Sequence, residues 1–333
     1  MRSGCRRRAA SSSAAVRNVA ITLVAALALL AALAGCGGSS ERDAGHATSE
    51  ARPAPAPLQI ANGPLEAAEP GRGPLQLKLA ATEDQVRPRF GRQPRSGLLF
   101  DLDTGEVLWR RQPARVLPIA SLTKIMTALV VVQRARPGDK VRVTKEALAY
   151  RGSGLGVLPR GKRVRLETML NGLLLPSGND AAIALAQRVS GTVDRFVVRM
   201  NEQARALGLA CTRFSSPSGF EDAGNHSCAV DLATMTRALL DRPRLARIVK
   251  RRRAILPFPI KGGRIYLFNN NPLLRTGYPG VLGVKTGFTD AAGRCLVAAA
   301  QRNGRRLGVI LLHSPDPGRQ AGMLLDRGFR VAR

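Results

Sequence analysis

The order of the predicted elements favours a mixed α/β fold of the α+β type, with one antiparallel sheet built from both ends of the chain. A strand over Ser96–Asp101 and a returning strand over Glu106–Trp109 flank an Asp-Thr-Gly turn, which is the pattern of a hairpin. A block of helical segments follows, and strand-like segments return near the end of the chain. Because a sheet and amphipathic helices bury their apolar faces against each other, we expect a helical cluster inserted between the two sets of strands.

The helices are predicted from apolar residues that recur at a spacing of three and four. The first predicted helix runs from Ser121 to Gln133, with apolar side chains between Ile125 and Val132 on one face. Further helices are predicted over residues 166–175, 180–189, 193–208, 229–240 and 318–325, and late strands over residues 280–287, 295–301 and 306–312. Residues 141–157 are predicted to form loops, and residues 255–268 to be extended.

The first 36 residues are predicted to be an export signal with a lipobox. Three arginines at positions 6–8 precede an apolar run from Val19 to Ala34, which is shorter than the roughly 20 apolar residues of a membrane span. The run ends in Leu-Ala-Gly-Cys at 33–36, which resembles the bacterial lipobox, where the cysteine is lipidated after cleavage. We expect Cys36 to anchor the protein through lipid at the outer face of the cytoplasmic membrane. Plain signal cleavage, with Cys36 incidental, is the alternative.

Residues 37–87 are rich in alanine, proline and glycine and are predicted to be a disordered linker. The alternation of alanine and proline near residue 53 indicates a semi-extended chain that would give a tethered domain reach. We expect ordered structure to begin near Pro88, so that the folded domain covers residues 88–333.

The formal net charge of +29 indicates either attraction to polyanions or arginine enrichment spread over a solvated surface. Among polyanions, the candidates are nucleic acid, anionic lipid and acidic wall polymers. A nucleic-acid site would be sought at Lys250–Arg253, but the export signal and an aromatic content of 4% argue against it. We therefore expect no nucleic-acid partner.

The five cysteines and three histidines show no spacing typical of a zinc site, and we expect no metal and no cofactor. Cys211 and Cys228 flank a loop rich in serine, proline and glycine. In an oxidising compartment the two can pair, or they can remain thiols. Cys295 lies in an apolar stretch and is predicted to be a buried thiol.

Ser121-Leu122-Thr123-Lys124 is the first candidate catalytic element. Residues three apart on a helix point the same way, so the hydroxyl of Ser121 and the amine of Lys124 can meet. A serine hydroxyl becomes a strong nucleophile when a neighbouring base takes its proton, and an unprotonated lysine can be that base. Alone, this spacing is equally typical of a helix cap followed by a surface lysine.

Two further elements carry polar groups suited to the same chemistry. Ser177-Gly178-Asn179 follows Pro176 at a break between helices, where a hydroxyl can relay a proton and an amide can hold a peptide. Lys285-Thr286-Gly287 lies on a predicted strand, where alternation puts Lys285 and Gly287 on one face. Each of these elements is also typical of an ordinary turn or strand when it occurs alone.

In this order, the three elements form the signature of penicillin-binding proteins and class A β-lactamases. Residues 118–129, 172–182 and 283–289 closely resemble segments of the low-molecular-mass D-alanyl-D-alanine carboxypeptidases, and the similarity spans residues 96–329. The resemblance implies a β-lactamase/transpeptidase-like fold, with residues 88–333 as the catalytic domain. It also implies an exported enzyme of cell-wall biogenesis that removes the last D-alanine from peptidoglycan peptides and is acylated by β-lactams.

The resemblance further implies a role for each motif residue. Ser121 would be the acylated nucleophile, Lys124 its general base, and Ser177 the group that carries a proton to the departing D-alanine. The substrate-binding residues would be Asn179, Lys285, Thr286, Gly287 and Phe288. The oxyanion hole would consist of the backbone N–H groups of Ser121 and Phe288.

Three other functions compete with this hypothesis. Glu167-Thr168-Met169-Leu170-Asn171 matches the deacylation motif of class A β-lactamases, but it precedes Ser177, whereas in those enzymes it follows the second element. A Ser-His-Asp hydrolase would use His226 or His313, but no G-x-S-x-G elbow is present. A wall-binding lipoprotein without activity predicts a damaged motif, and all three motifs are intact.

Overall fold

The computed structural model describes residues 75–80, 83–220 and 224–331. All of them fall in one of the two units into which the chain divides, residues 60–333. The predicted signal peptide, the lipobox at Cys36 and most of the predicted linker lie outside the described residues.

The described residues form eleven strands and nine helices. The strands are β1 (Ser96–Asp101), β2 (Val107–Arg111), β3 (Leu117–Pro118), β4 (Lys140–Arg142), β5 (Arg163–Arg165), β6 (His226–Ser227), β7 (Arg253–Pro257), β8 (Arg264–Phe268), β9 (Val281–Thr289), β10 (Gly293–Arg302) and β11 (Arg305–Leu312). The helices are α1 (Lys124–Arg134), α2 (Lys145–Leu148), α3 (Leu166–Leu174), α4 (Asn179–Ser190), α5 (Val193–Ala206), α6 (Ala229–Leu240), α7 (Pro243–Val249), α8 (Pro272–Thr276) and α9 (Pro317–Gly328). A turn of 3₁₀ helix, Ala120–Thr123, precedes α1.

The main sheet joins the two ends of the domain, as the element order predicts. Its five antiparallel strands run in the order β2-β1-β11-β10-β9. The first and last strands are neighbours, with Ser96 opposite Leu312 and Asp101 opposite Leu307. Both strands are covered on two faces, and this explains why each carries an unbroken run of apolar residues. The α+β class and the origin of the sheet are confirmed.

Alternate residues of β1 are buried in two separate cores, one on each face of the sheet. Leu98 and Phe100 point into the core shared with α6 and the rest of the helical block, whereas Leu99 points into the core shared with α9. This follows from the period of two in a strand. Helix α1 is buried from Lys124 to Val132 and contacts α3, α4, α5 and α6, so it forms the centre of the helical block.

Short elements account for most differences from the prediction. The segment 141–157, predicted as loop, contains strand β4, which pairs with β5 around the buried residues Val141 and Val164, and helix α2. A strand of three residues is too short to show a period in the sequence. Residues 255–268, predicted to be extended, form the hairpin β7–β8 with a turn between the strands.

The chain contacts the sheet before Pro88, where the predicted domain begins. Lys78 N–H donates to Gly105 C=O over 2.9 Å, and Val86 N–H donates to Leu108 C=O over 2.9 Å. The side chain of Val86 is buried in the core beside α9. A segment predicted to belong to the linker thus covers the edge of the sheet at β2.

Candidate active site

The 3₁₀ turn brings Ser121 and Lys124 together. In this helix type the side chains of residues i and i+3 eclipse, because each turn contains three residues. The Ser121 hydroxyl therefore lies 2.8 Å from the Lys124 amine. Ala120 enters the turn with a φ of 46°, a left-handed conformation that is unusual for alanine. The sequence predicts an α-helix here, and the tighter turn is a correction to that expectation.

Lys124 is fully buried, and its amine has two further partners. Its Nζ donates to Asn179 Oδ1 over 2.7 Å and to the Ser218 carbonyl over 2.7 Å. Burial, and secondarily the positive charge of Lys285, hold the pKa of Lys124 well below its usual range, against the opposing effect of Asp180. A neutral amine has two N–H groups and one lone pair. With both N–H groups donated, the lone pair is left for the hydroxyl proton of Ser121.

Ser177 and Lys285 form a second serine–lysine pair. Ser177 has a φ of 72° at the break before α4, and its hydroxyl lies 2.9 Å from Lys285 Nζ. The Lys285 amine also donates to the Thr286 carbonyl over 2.8 Å. Burial lowers the pKa of Lys285 to about 7. This lysine therefore changes its charge close to neutral pH.

Strand β9 is an edge of the main sheet and passes close to the turn that carries Ser121. A Cβ atom at Gly287 would lie 2.9 Å from the Ile119 carbonyl oxygen and 3.3 Å from the Ser121 backbone nitrogen. Only glycine allows this approach. Lys285 is buried and Thr286 is partly exposed, while Phe288 is 63% exposed.

Asn179 and Asp180 support the site from the first turn of α4. The Asn179 amide donates from Nδ2 to the Arg151 carbonyl over 2.5 Å, so both ends of this amide contact the chain itself. Asp180 accepts hydrogen bonds from the backbone N–H groups of Leu155 and Gly156 at 2.8 and 3.2 Å. Burial raises the pKa of Asp180.

No motif predicted that the loop around Ser218 completes the site. Gly219, with a φ of +73°, lies so close to the turn that a Cβ would stand 2.0 Å from the Ala120 carbonyl oxygen. The loop is closed at its base by a disulfide between Cys211 and Cys228, a pairing that the sequence left open. The group that this loop contributes to the site is the backbone carbonyl of Ser218, and any residue carries such a group. In the sequence, only the turn-like Ser-Pro-Ser-Gly run at 216–219 marks this loop.

The residues on which the competing hypotheses depend make contacts of a different kind. The Glu167 carboxylate pairs with Arg244 at 2.9 Å, and the Asn171 amide donates to the Glu167 carbonyl and accepts from Arg251. His226 lies in β6, where its backbone pairs with that of Arg213. These contacts explain the β-lactamase-like motif as part of the packing of α3.

One group of ligand-type side chains within the described ranges has metal-binding spacing: Cys211, Cys228 and Asp231, with ligand atoms within 4.8 Å of one another. Both sulfur atoms belong to the disulfide, so they supply no thiolate. Asp231 instead accepts hydrogen bonds from the Cys211 N–H and the Thr212 hydroxyl. The group is a structural brace at the base of the Ser218 loop.

The fold and the two serine–lysine pairs define a penicillin-binding, DD-peptidase type of protein. The Streptomyces K15 DD-transpeptidase has the same fold, with a TM-score of 0.69 and 30% sequence identity, and the match covers 74% of this chain and all of that one. The chain belongs to the D-alanyl-D-alanine carboxypeptidase family, Peptidase_S11, which matches residues 85–315.

Two curated relatives carry the name of that family. D-alanyl-D-alanine carboxypeptidase DacF of Bacillus subtilis is 34% identical over 245 residues, which is 71% of this chain and 62% of the relative. DacB2 of Mycobacterium tuberculosis is 36% identical over 242 residues, which is 70% of this chain and 81% of the relative. The matched region thus spans about three fifths of the length of the first of these relatives.

Proposed function

We propose that this chain is a serine-type D-Ala-D-Ala carboxypeptidase that trims peptidoglycan stem peptides through an acyl-enzyme on Ser121. The observation that carries the proposal is the 2.8 Å contact between the Ser121 hydroxyl and a buried Lys124 whose pKa is held low. A neutral amine in that position is a general base, and its two other contacts fix its orientation.

In the first step, Ser121 Oγ attacks the carbonyl carbon of the penultimate D-alanine. Its proton passes to the Lys124 lone pair, and the carbonyl oxygen becomes an oxyanion. The N–H groups of Ser121 and Phe288 stabilise this charge, which develops between the 3₁₀ turn and strand β9. The close approach at Gly287 supports this assignment, since it brings β9 next to the Ser121 nitrogen.

In the second step the carbon–nitrogen bond breaks, and the departing amine needs a proton. Ser177 supplies its hydroxyl proton to that amine and regains one from Lys285, 2.9 Å away. Protonated Lys285, together with the Thr286 hydroxyl, attracts the terminal carboxylate of the substrate. The peptide lies along the free edge of β9, where an extended chain can pair with the backbone.

Before release, Lys124 gives up the Ser121 proton and Lys285 regains one, both through solvent. Water then attacks the acyl carbon, Lys124 takes the water proton, and this proton passes to Ser121 Oγ as the ester bond breaks. An amine in place of water would give transpeptidation, the activity named for the Streptomyces relative. β-Lactams mimic the terminal dipeptide and acylate the same serine. Asn179 holds Lys124 in place through Oδ1, and the N–H of its amide that does not donate to Arg151 takes part in orienting the peptide.

We also infer an extracellular location for this activity, with the enzyme anchored by lipid on Cys36 and a linker that begins at residue 37 and ends before the sheet contact at Lys78. The basic start, the apolar run and the Leu-Ala-Gly-Cys sequence support this inference. Mass spectrometry of the membrane-extracted protein tests it. A diacylglyceryl group on an N-terminal Cys36 is the expected result, and a mature end without lipid contradicts it.

The activity is tested by D-alanine release from a peptide that ends in D-Ala-D-Ala. The parent chain is expected to release D-alanine, and Ser121→Ala to release none. Ser190→Ala serves as the matched control, because Ser190 lies eleven residues along α4 from Asn179, about 16 Å away. Release by Ser121→Ala at the parental rate, or none by a folded parent, would refute the proposal.

A further inference from the structure

The outer face of the β7–β8 hairpin exposes three large apolar side chains. Alternation buries Ala254, Ile265 and Leu267 in the core and turns the opposite face to the outside. The outer face consists of Arg253, Ile255, Pro257, Arg264, Tyr266 and Phe268. Ile255 is directly opposite Tyr266, and these two side chains and Phe268 are 47%, 61% and 62% exposed. Single exposed apolar residues are ordinary, whereas a contiguous group marks a contact surface.

The charges that the hairpin itself carries all have one sign. Arg253 and Arg264 lie on the outer face, and Lys261 lies in the hairpin turn beside Ile260, which is 40% exposed. Between Asp241 and Asp290 the sequence contains no acidic residue. Within the residues that the structure describes, these three cations form no ion pair with a carboxylate.

We propose that the outer face of the β7–β8 hairpin docks on an anionic lipid bilayer. Exposed aliphatic and aromatic side chains flanked by cations are the composition of segments that lie in the membrane interface. The cations attract anionic headgroups, while Tyr266 and Phe268 enter the boundary between headgroups and acyl chains. The face is the pleated outer surface of a two-stranded ribbon rather than a groove, which fits a lipid surface better than a peptide chain.

The docking face lies close to the proposed catalytic cleft. Asn270, two residues after Phe268, donates from its backbone N–H to the Leu175 carbonyl and from Nδ2 to the Pro176 carbonyl, at 3.2 and 3.1 Å. Pro176 directly precedes Ser177. Membrane contact through the hairpin therefore holds this side of the cleft near the lipid surface, where membrane-proximal substrates are found.

The test uses the full chain and reports on the hairpin alone. Tyr266→Trp adds an indole to a chain whose single native tryptophan, Trp109, is 5% exposed. Val198→Trp, at a site on α5 that is 56% exposed, is the matched control. Each variant is mixed with phosphatidylglycerol vesicles that carry bromine on the acyl chains, which quench only indoles at the bilayer. Circular dichroism and D-alanine release confirm that both variants fold like the parent.

We expect quenching of the indole introduced at position 266 to exceed that of the control at least threefold. The excess should fall by at least half with brominated phosphatidylcholine, with 0.5 M salt, or when Arg253→Gln and Arg264→Gln are added. Equal quenching of both variants would mean that another part of the chain brings the whole surface to the vesicle. That result, or no quenching at position 266, as expected if a protein or glycan covers this face, overturns the proposal.

Discussion

The two serine–lysine pairs of the cleft have nearly the same geometry but different surroundings. The Ser121 and Lys124 side chains lie 2.8 Å apart, and those of Ser177 and Lys285 lie 2.9 Å apart. Both lysines are buried. Lys124 has two oxygen partners besides its serine, and the charge of Lys285 adds to the effect of burial in lowering the pKa of Lys124. The pKa of Lys285 is lowered by burial, to about 7.

In the mechanism we propose, this difference separates the roles of the two lysines. A base that activates a nucleophile must be unprotonated at the working pH, and the surroundings of Lys124 favour that form. A group that binds a carboxylate and resupplies a proton must still carry one, and Lys285 does so up to about neutral pH. After burial, the charge of Lys285 is the next cause that lowers the pKa of Lys124, so the two pairs depend on each other.

The largest effect is expected from Lys124→Met, which keeps an unbranched side chain and removes the amine that we propose as the base. We expect kcat/KM for D-alanine release to fall about 10³- to 10⁴-fold, the upper range for losing a general base. The kcat/KM of Lys124→Arg should fall as far, because a guanidinium stays protonated. Retention of a tenth of the parental activity by either variant would show that Ser121 does not need this amine.

Ser177→Ala tests the second pair. Removing the hydroxyl interrupts proton delivery to the leaving amine, and we expect kcat to fall about 10²-fold with KM changed by less than threefold. Acylation by a β-lactam should be affected less, because opening the strained ring depends less on protonation of the nitrogen. An equal loss for both reactions would indicate that Ser177 acts before the carbon–nitrogen bond breaks.

The pH dependence of kcat/KM tests the role proposed for Lys285. Lys285 is protonated below a pKa of about 7 and neutral above it, so attraction of the substrate carboxylate is lost as pH rises through that value. We expect kcat/KM to fall up to tenfold per pH unit on this limb. In Lys285→Arg the limb should disappear, although the activity at its maximum is lower. Persistence of the same limb in that variant would assign it to another group.

The smallest effect on activity is expected from Cys211→Ser with Cys228→Ser. The disulfide closes a loop with a sequence separation of 17 residues, and opening it should cost about 3 kcal/mol of stability. Because the loop supplies the Ser218 carbonyl to Lys124, kcat should fall less than tenfold. Denaturant unfolding and D-alanine release check both values, with Cys295→Ala as a control that keeps the disulfide. Unchanged stability would contradict this role of the loop.

The sequence predicted the parts of the molecule that rest on long patterns. The order of an early hairpin, a helical block and late strands was sufficient to place both ends of the domain in one sheet. The i, i+3 spacing of Ser121 and Lys124 was sufficient to bring a hydroxyl to an amine, although the turn is tighter than the predicted helix.

The remaining features depend on tertiary contacts that leave no pattern in the sequence. The Ser218 carbonyl is a backbone group, so no residue type identifies it. The close approach of Gly219 to Ala120 depends on the tertiary fold and on a strained φ at Ala120. The ribbon β4–β5 is held by one buried valine pair, and strands this short leave no period.

The site of the covalent adduct that a β-lactam forms identifies the nucleophile directly. The full chain is incubated with benzylpenicillin, its intact mass is measured, and the adduct is mapped by peptide mass spectrometry. One adduct per chain on Ser121 is expected, absent from Ser121→Ala, and formed about 10³-fold more slowly in Lys124→Met. An adduct on Ser177 or any other residue, or one that persists in Ser121→Ala, would contradict the assignment of the nucleophile.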